Sequence, residues 1–76
     1  MILKFKSDGS TWNILDKIVH LKISEGQDEN SEIKFIVKLF AYTKWLGNAI
    51  TIDCMEDSIS DIYLLNDEGK TIEKLQ

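Results

Sequence analysis

Between Ile33 and Ala41 every second residue is apolar: Ile33, Phe35, Val37, Leu39 and Ala41. A period of two places all five on one side of an extended strand, and a series this long constrains a short chain heavily. The rival is a helix over about 31–46, with Ser31 capping its start and Gly47 its end. On that helical wheel Lys44 falls between Ile33 and Val37, so no clean polar side remains and the strand is preferred. Proline is absent from the chain, so nothing bars pairing along a strand, and the turns fall to Gly, Asn and Asp.

The flanking sequence repeats the pattern. In "MILKFKSDGSTWNIL", Met1, Leu3 and Phe5 alternate with Ile2, Lys4 and Lys6, then Asp8-Gly9 intervenes before Trp12 and Ile14, as in a hairpin. In "DKIVHLKIS", Val19, Leu21 and Ile23 alternate with His20 and Lys22; the β-branched content favours a strand over a helix spanning 10–23. "EGQDENSE", Glu25 to Glu32, is a loop by composition, "LGN" at Leu46 to Asn48 a turn, and "AITIDCM" a short strand. "EDSISD" is a polar connector with room for one helical turn, and "DIYLLNDEGKTIEKL" closes the chain as a hairpin over Asn66 to Gly69. The expected fold is therefore mainly β, with six to seven short strands in a small antiparallel sheet, a barrel or a two-sheet sandwich. The α+β alternative keeps the one helix at 31–46. At 76 residues this is a single β-rich domain, 1–76, near the size at which a partner often supplies missing burial. Its exposed edges make a homo-oligomer the natural expectation.

Several function classes are disfavoured at once. Cys54 and His20 are each alone, so no disulfide, zinc cluster or histidine dyad is expected; Cys54 reads as a buried thiol and His20 as packed or solvated. "DENSE" spaces Asp28, Asn30 and Glu32 like a calcium loop but has Ile33 where glycine is required, and "NDEGK" lacks the frame of a phosphate loop. No catalytic residue, metal or cofactor is expected, and the chain reads as a non-enzyme. All nine basic residues are lysine and the net charge is −4, which disfavours duplex DNA. No apolar run is long enough to span a membrane and "MILKFK" does not resemble a signal segment, so a cytoplasmic protein is expected.

The candidate site is "KFIVKLFAYTKW". If the odd residues face a core, Lys34, Ile36, Lys38, Phe40, Tyr42 and Lys44 share the opposite face, with Trp45 beside it. Lysines and rings on one sheet face suit a protein partner or a nucleotide-like anionic ligand, with Lys34, Lys38 and Lys44 on phosphates and Phe40, Tyr42 or Trp45 against a base. They equally suit a second small core, and Trp12 and Trp45 each read as lids over a core. A second, acidic surface is expected from Asp53, Glu56, Asp57 and Asp61, which lie in a stretch without lysine between Lys44 and Lys70. It would meet a basic protein or mimic nucleic-acid phosphates.

The segment "IYLLNDEGKTIEKL", Ile62 to Leu75, resembles the closing hairpin of small orphan proteins encoded by bacteriophages and prophages of low-GC bacteria. Lysine in place of arginine and eleven isoleucines agree with an AT-rich genome. The resemblance implies an accessory factor that binds and blocks a host enzyme or defence protein, in some cases by sequestering a signal nucleotide; it implies no site residues. The expected function is a non-enzymatic binding protein that inhibits a host defence or nucleic-acid-processing protein in the host cytoplasm. The alternatives are an oligomer sequestering a nucleotide-like anion and an acidic nucleic-acid mimic.

Overall fold

The computed structural model describes residues 1–30, 32–44 and 49–76. They form seven strands: β1 (Ile2–Ser7), β2 (Thr11–Leu15), β3 (Ile18–Gln27), β4 (Lys34–Thr43), β5 (Ile50–Asp53), β6 (Ser60–Leu65) and β7 (Thr71–Lys74). They make two antiparallel sheets, ordered β2-β1-β6-β7 and β3-β4-β5, which do not close into a barrel. The helices weighed at 31–46 and 10–23 are both overturned: β4 runs through the first, and β2 and β3 through the second. Among the described residues no helix is long and apolar enough to cross a membrane.

Local chemistry sets the turns. Asp8 and Gly9 both adopt positive φ, 50° and 79°, as the two centres of a primed hairpin turn do, and the Ser10 N–H closes it on the Ser7 carbonyl at 3.2 Å. At the second hairpin the Asn66 side-chain oxygen accepts from the N–H groups of Glu68 and Lys70 at 2.9 and 3.0 Å, while Gly69 takes φ 86°. Both turns fall where the Asp-Gly and Asn66–Gly69 signals place them. Between β2 and β3, Lys17 holds φ 58° and carries the chain from one sheet to the other.

The two sheets share one core. Leu3 and Ile62 from the four-stranded sheet meet Leu39, Ala41, Ile36 and Ile52 from the three-stranded sheet, with Ile18, Cys54 and Ile59 closing the sides. Hydrogen bonds stitch the corners: the Ile18 N–H donates to the Met1 carbonyl at 3.0 Å and the Ile36 N–H to the side-chain Oε1 of Gln76 at 2.7 Å.

Three expectations are corrected here. The inward series Ile33, Phe35, Val37, Leu39, Ala41 is broken, because Ser24 pairs with Lys38 but Glu25 with Ile36, leaving Val37 as an extra residue. Such a bulge flips the side on which the following residues fall. Ile36 is therefore buried and Ile33 is 63% exposed. The Val37 carbonyl is taken instead by the Cys54 N–H at 2.8 Å. A second shift, between Ile18 and His20, makes Val19 the extra residue, so Ile18 enters the core and Val19 stands 62% exposed. Lastly, Glu25, Gly26 and Gln27 belong to β3 and not to a loop. Gly26 lies opposite Phe35, and a Cβ there would meet the Phe35 ring at 2.8 Å, so a bare backbone lets the ring lie across the neighbouring strand.

Candidate functional site

Cα partners in an antiparallel pair carry their side chains on one face, so the register defines the surface. On the outer side of the three-stranded sheet Tyr42 faces His20, Phe40 lies between Lys22 and Thr51, and Lys38 between Ser24 and Asp53. The His20 and Tyr42 rings are 5.5 Å apart and Lys38 Nζ is 4.0 Å from an Asp53 carboxylate oxygen. Phe40 is half-buried and Tyr42 exposed. Of the six residues picked from sequence, the fold brings together Lys38, Phe40 and Tyr42. Lys34 opens β4 and Lys44 follows its last residue, Thr43, ten residues and roughly 30 Å away at the rise of a strand. Lys34 lines a hollow at the open end of the sandwich with Ile36 and Gln76, and Lys44 donates its backbone N–H to the Lys17 carbonyl at 3.3 Å. Trp45 and the Leu46–Asn48 turn lie outside the described residues. Sequence pattern missed His20 and Lys22 as members of this face; their alternation with Leu21 was the signal that would have found them.

β3 borders this face and runs ten residues; among the described residues it pairs as a strand only with β4, and beyond Ile18, which exchanges bonds with Met1, its other edge is unpaired. An open strand edge is a template for pairing with another chain.

The acidic set divides by role. Asp53 Oδ1 accepts from the N–H groups of Met55 and Glu56 at 3.2 and 3.0 Å, and the Asp57 N–H donates to the Asp53 carbonyl at 3.1 Å. Asp53 thus holds the turn after β5; the connector is made of turns and not of the helical turn for which the composition leaves room. Asp53→Ala removes two bonds to backbone donors and should cost about 1 kcal/mol, as loss of a cap does, lowering the melting midpoint by about 4–8 °C. An unchanged midpoint in a thermal melt would remove that role. Asp61 sits at the β1–β6 bulge with φ 51° and lies 3.5 Å from Lys6 Nζ, a half-exposed pair of small energetic weight. Only Glu56 and Asp57 face solvent together, beside a hollow of about 340 Å³ that Asp8 also lines.

The four-stranded sheet presents a lysine and aromatic face that sequence pattern did not single out. Its register aligns Ile14, Lys4, Tyr63 and Lys74 in one row across all four strands, with Trp12 and Lys6 in the next. Lys4 Nζ and Lys6 Nζ lie 4.6 and 4.9 Å from the Trp12 ring centre, and Lys74 Nζ lies 5.6 Å from that of Tyr63. Trp12 is 45% exposed and is no lid over the core, because the turn at Asp8-Gly9 pairs it with the outward Lys6.

Cys54 is buried, as its reading as a structural thiol requires. Burial pushes the thiol pKa up, and the carboxylates of Asp53 and Asp57 push it further the same way. Since the thiolate is the nucleophile, iodoacetamide at neutral pH should alkylate Cys54 at least roughly tenfold more slowly in the folded protein than in denaturant, and faster as pH rises. Equal rates, followed by intact mass, would contradict this. Among the described residues no group of three or more His, Cys, Asp or Glu side chains is placed to hold a metal ion.

These features define a β-sandwich with two outward sheet faces that each mix lysines with rings. No protein-family model, curated protein or solved structure matches this chain.

Proposed function

We propose that this chain is a non-enzymatic binding protein of phage or prophage type that acts in the host cytoplasm by occupying and inhibiting a host protein. The observation that carries the reading is the outer face of β3, β4 and β5, where Lys38, Phe40 and Tyr42 are gathered with His20 and Lys22. Rings with apolar bodies, flanked by lysine stems whose charges reach solvent, are the composition of a protein interface with its charge at the rim. The open β3 edge beside it supports self-association, and a homo-oligomer paired along β3 would present two such faces.

The spread of Lys34, Lys38 and Lys44 along β4 favours an extended partner over a nucleotide-like anion gripped by all three. The acidic-mimic reading is weaker for a similar reason: Asp53 and Asp61 are engaged within the fold and leave Glu56 and Asp57 as the open pair. The experiment sets Tyr42→Glu against Asp57→Lys in recovery of a host polypeptide from bacterial cells. Loss with the first change alone supports the reading; loss with the second alone moves the partner to the acidic side.

A further inference from the structure

The outer face of the four-stranded sheet is independent of that reading, being built from other strands in the other sheet. We infer that it is a binding site for single-stranded nucleic acid, with Trp12 and Tyr63 stacking on bases and Lys4, Lys6 and Lys74 meeting the phosphates.

Charge comes first. The chain as a whole carries −4, yet this face gathers three lysines, and among the described residues the carboxylate in contact with them is that of Asp61, 3.5 Å from Lys6. A cationic patch on an acidic molecule marks where a polyanion settles, and phosphates supply most of the affinity of a nucleic acid for such a surface. Ring geometry selects the form of the polyanion. The Trp12 and Tyr63 centres are 6.3 Å apart at an interplanar angle of 41°, so the two rings are not stacked on each other. Between them and the β6–β7 turn lies a depression of about 270 Å³ lined by Lys4, Leu65, Gly69 and Thr71. Flat rings on an open sheet can stack on bases only if those bases are free of a duplex, which is the platform logic of single-strand binders.

The lysines are placed to change partners. Two ammonium groups now rest over one partly exposed indole, and such contacts are weak in water. A base stacking on Trp12 displaces them sideways, where phosphates on either side of that base receive them. The apolar Ile14, exposed at the end of the Lys4 row, extends the surface a base or sugar can cover.

The test is fluorescence polarisation of labelled oligothymidylate of about ten nucleotides, a length suited to one small sheet. A duplex of the same length and fluorescent heparin run alongside it. The expected result is saturable binding of the single strand, weaker binding of the duplex, and a loss of roughly tenfold or more with Trp12→Ala or Tyr63→Ala. Lys4→Gln should flatten the salt dependence by about 0.7 in slope, the share of one phosphate contact on a single strand. Trp12 is exposed, so its variant should keep the wild-type melting curve, and Tyr42→Glu should leave oligonucleotide binding unchanged. Binding that survives Trp12→Ala, or heparin and duplex bound as tightly as the single strand, would overturn the stacking site. Absence of oligonucleotide binding, with Trp12→Ala instead losing a host polypeptide, would overturn it in favour of a protein interface.

Discussion

Ile36→Ala should destabilise the domain by about 2–5 kcal/mol, whereas Ile33→Ala should change stability by less than about 0.5 kcal/mol. The two residues are three positions apart, and a strict alternation over β4 assigns them the opposite ranking. What reverses it is the extra residue at Val37, which turns Ile36 into the core and leaves Ile33 at the surface. A chain of this length has roughly 4–11 kcal/mol of total stability, so the Ile36 change removes a large part of it. Urea unfolding followed by tryptophan fluorescence reads both variants. Equal losses, or a larger loss at Ile33, would show that β4 runs without its bulge and that the outer face is wrongly composed.

Tyr42→Glu should weaken the partner complex by about 30-fold or more, the scale of an aromatic hot spot replaced by a buried unpaired charge. The melting curve should stay close to wild type, because Tyr42 is 37% exposed and its ring contact is with the exposed His20. Phe40→Ala is the less informative change: its ring is half-buried between Lys22 and Thr51, so folding and binding would fall together. Titration of the purified host polypeptide against wild type and Tyr42→Glu measures the ratio. A ratio near one would remove the outer face of the three-stranded sheet from the interface.

The mainly β class was legible because strand periodicity and turn chemistry agree at Asp8-Gly9, at Asn66–Gly69 and through the β4 alternation. What the pattern could not carry was the position of each bulge. Val19 and Val37 fit the alternation locally as well as their neighbours do, and only the pairing with the adjacent strand shows that they are extra. The same limit hid the second site. Lys4 and Lys6 alternate visibly in β1, but Trp12, Tyr63 and Lys74 join them only once β1 pairs with β2 and β6 with β7, and β6 lies more than fifty residues along the chain from β1. For the predicted face, alternation collected Lys38, Phe40 and Tyr42 correctly. It overextended to Lys34 because the bulge lies between them, and to Lys44 because the strand ends at Thr43.

The central claim is that the chain works by holding a host protein on the outer face of β3, β4 and β5. Native mass spectrometry of the protein recovered undenatured from bacterial lysate tests it most directly. The account predicts a wild-type species carrying a host polypeptide, retained in Trp12→Ala and Asp57→Lys and absent in Tyr42→Glu. A bare chain or bare oligomer, or one carrying only a small adduct that disappears on denaturation, would contradict it.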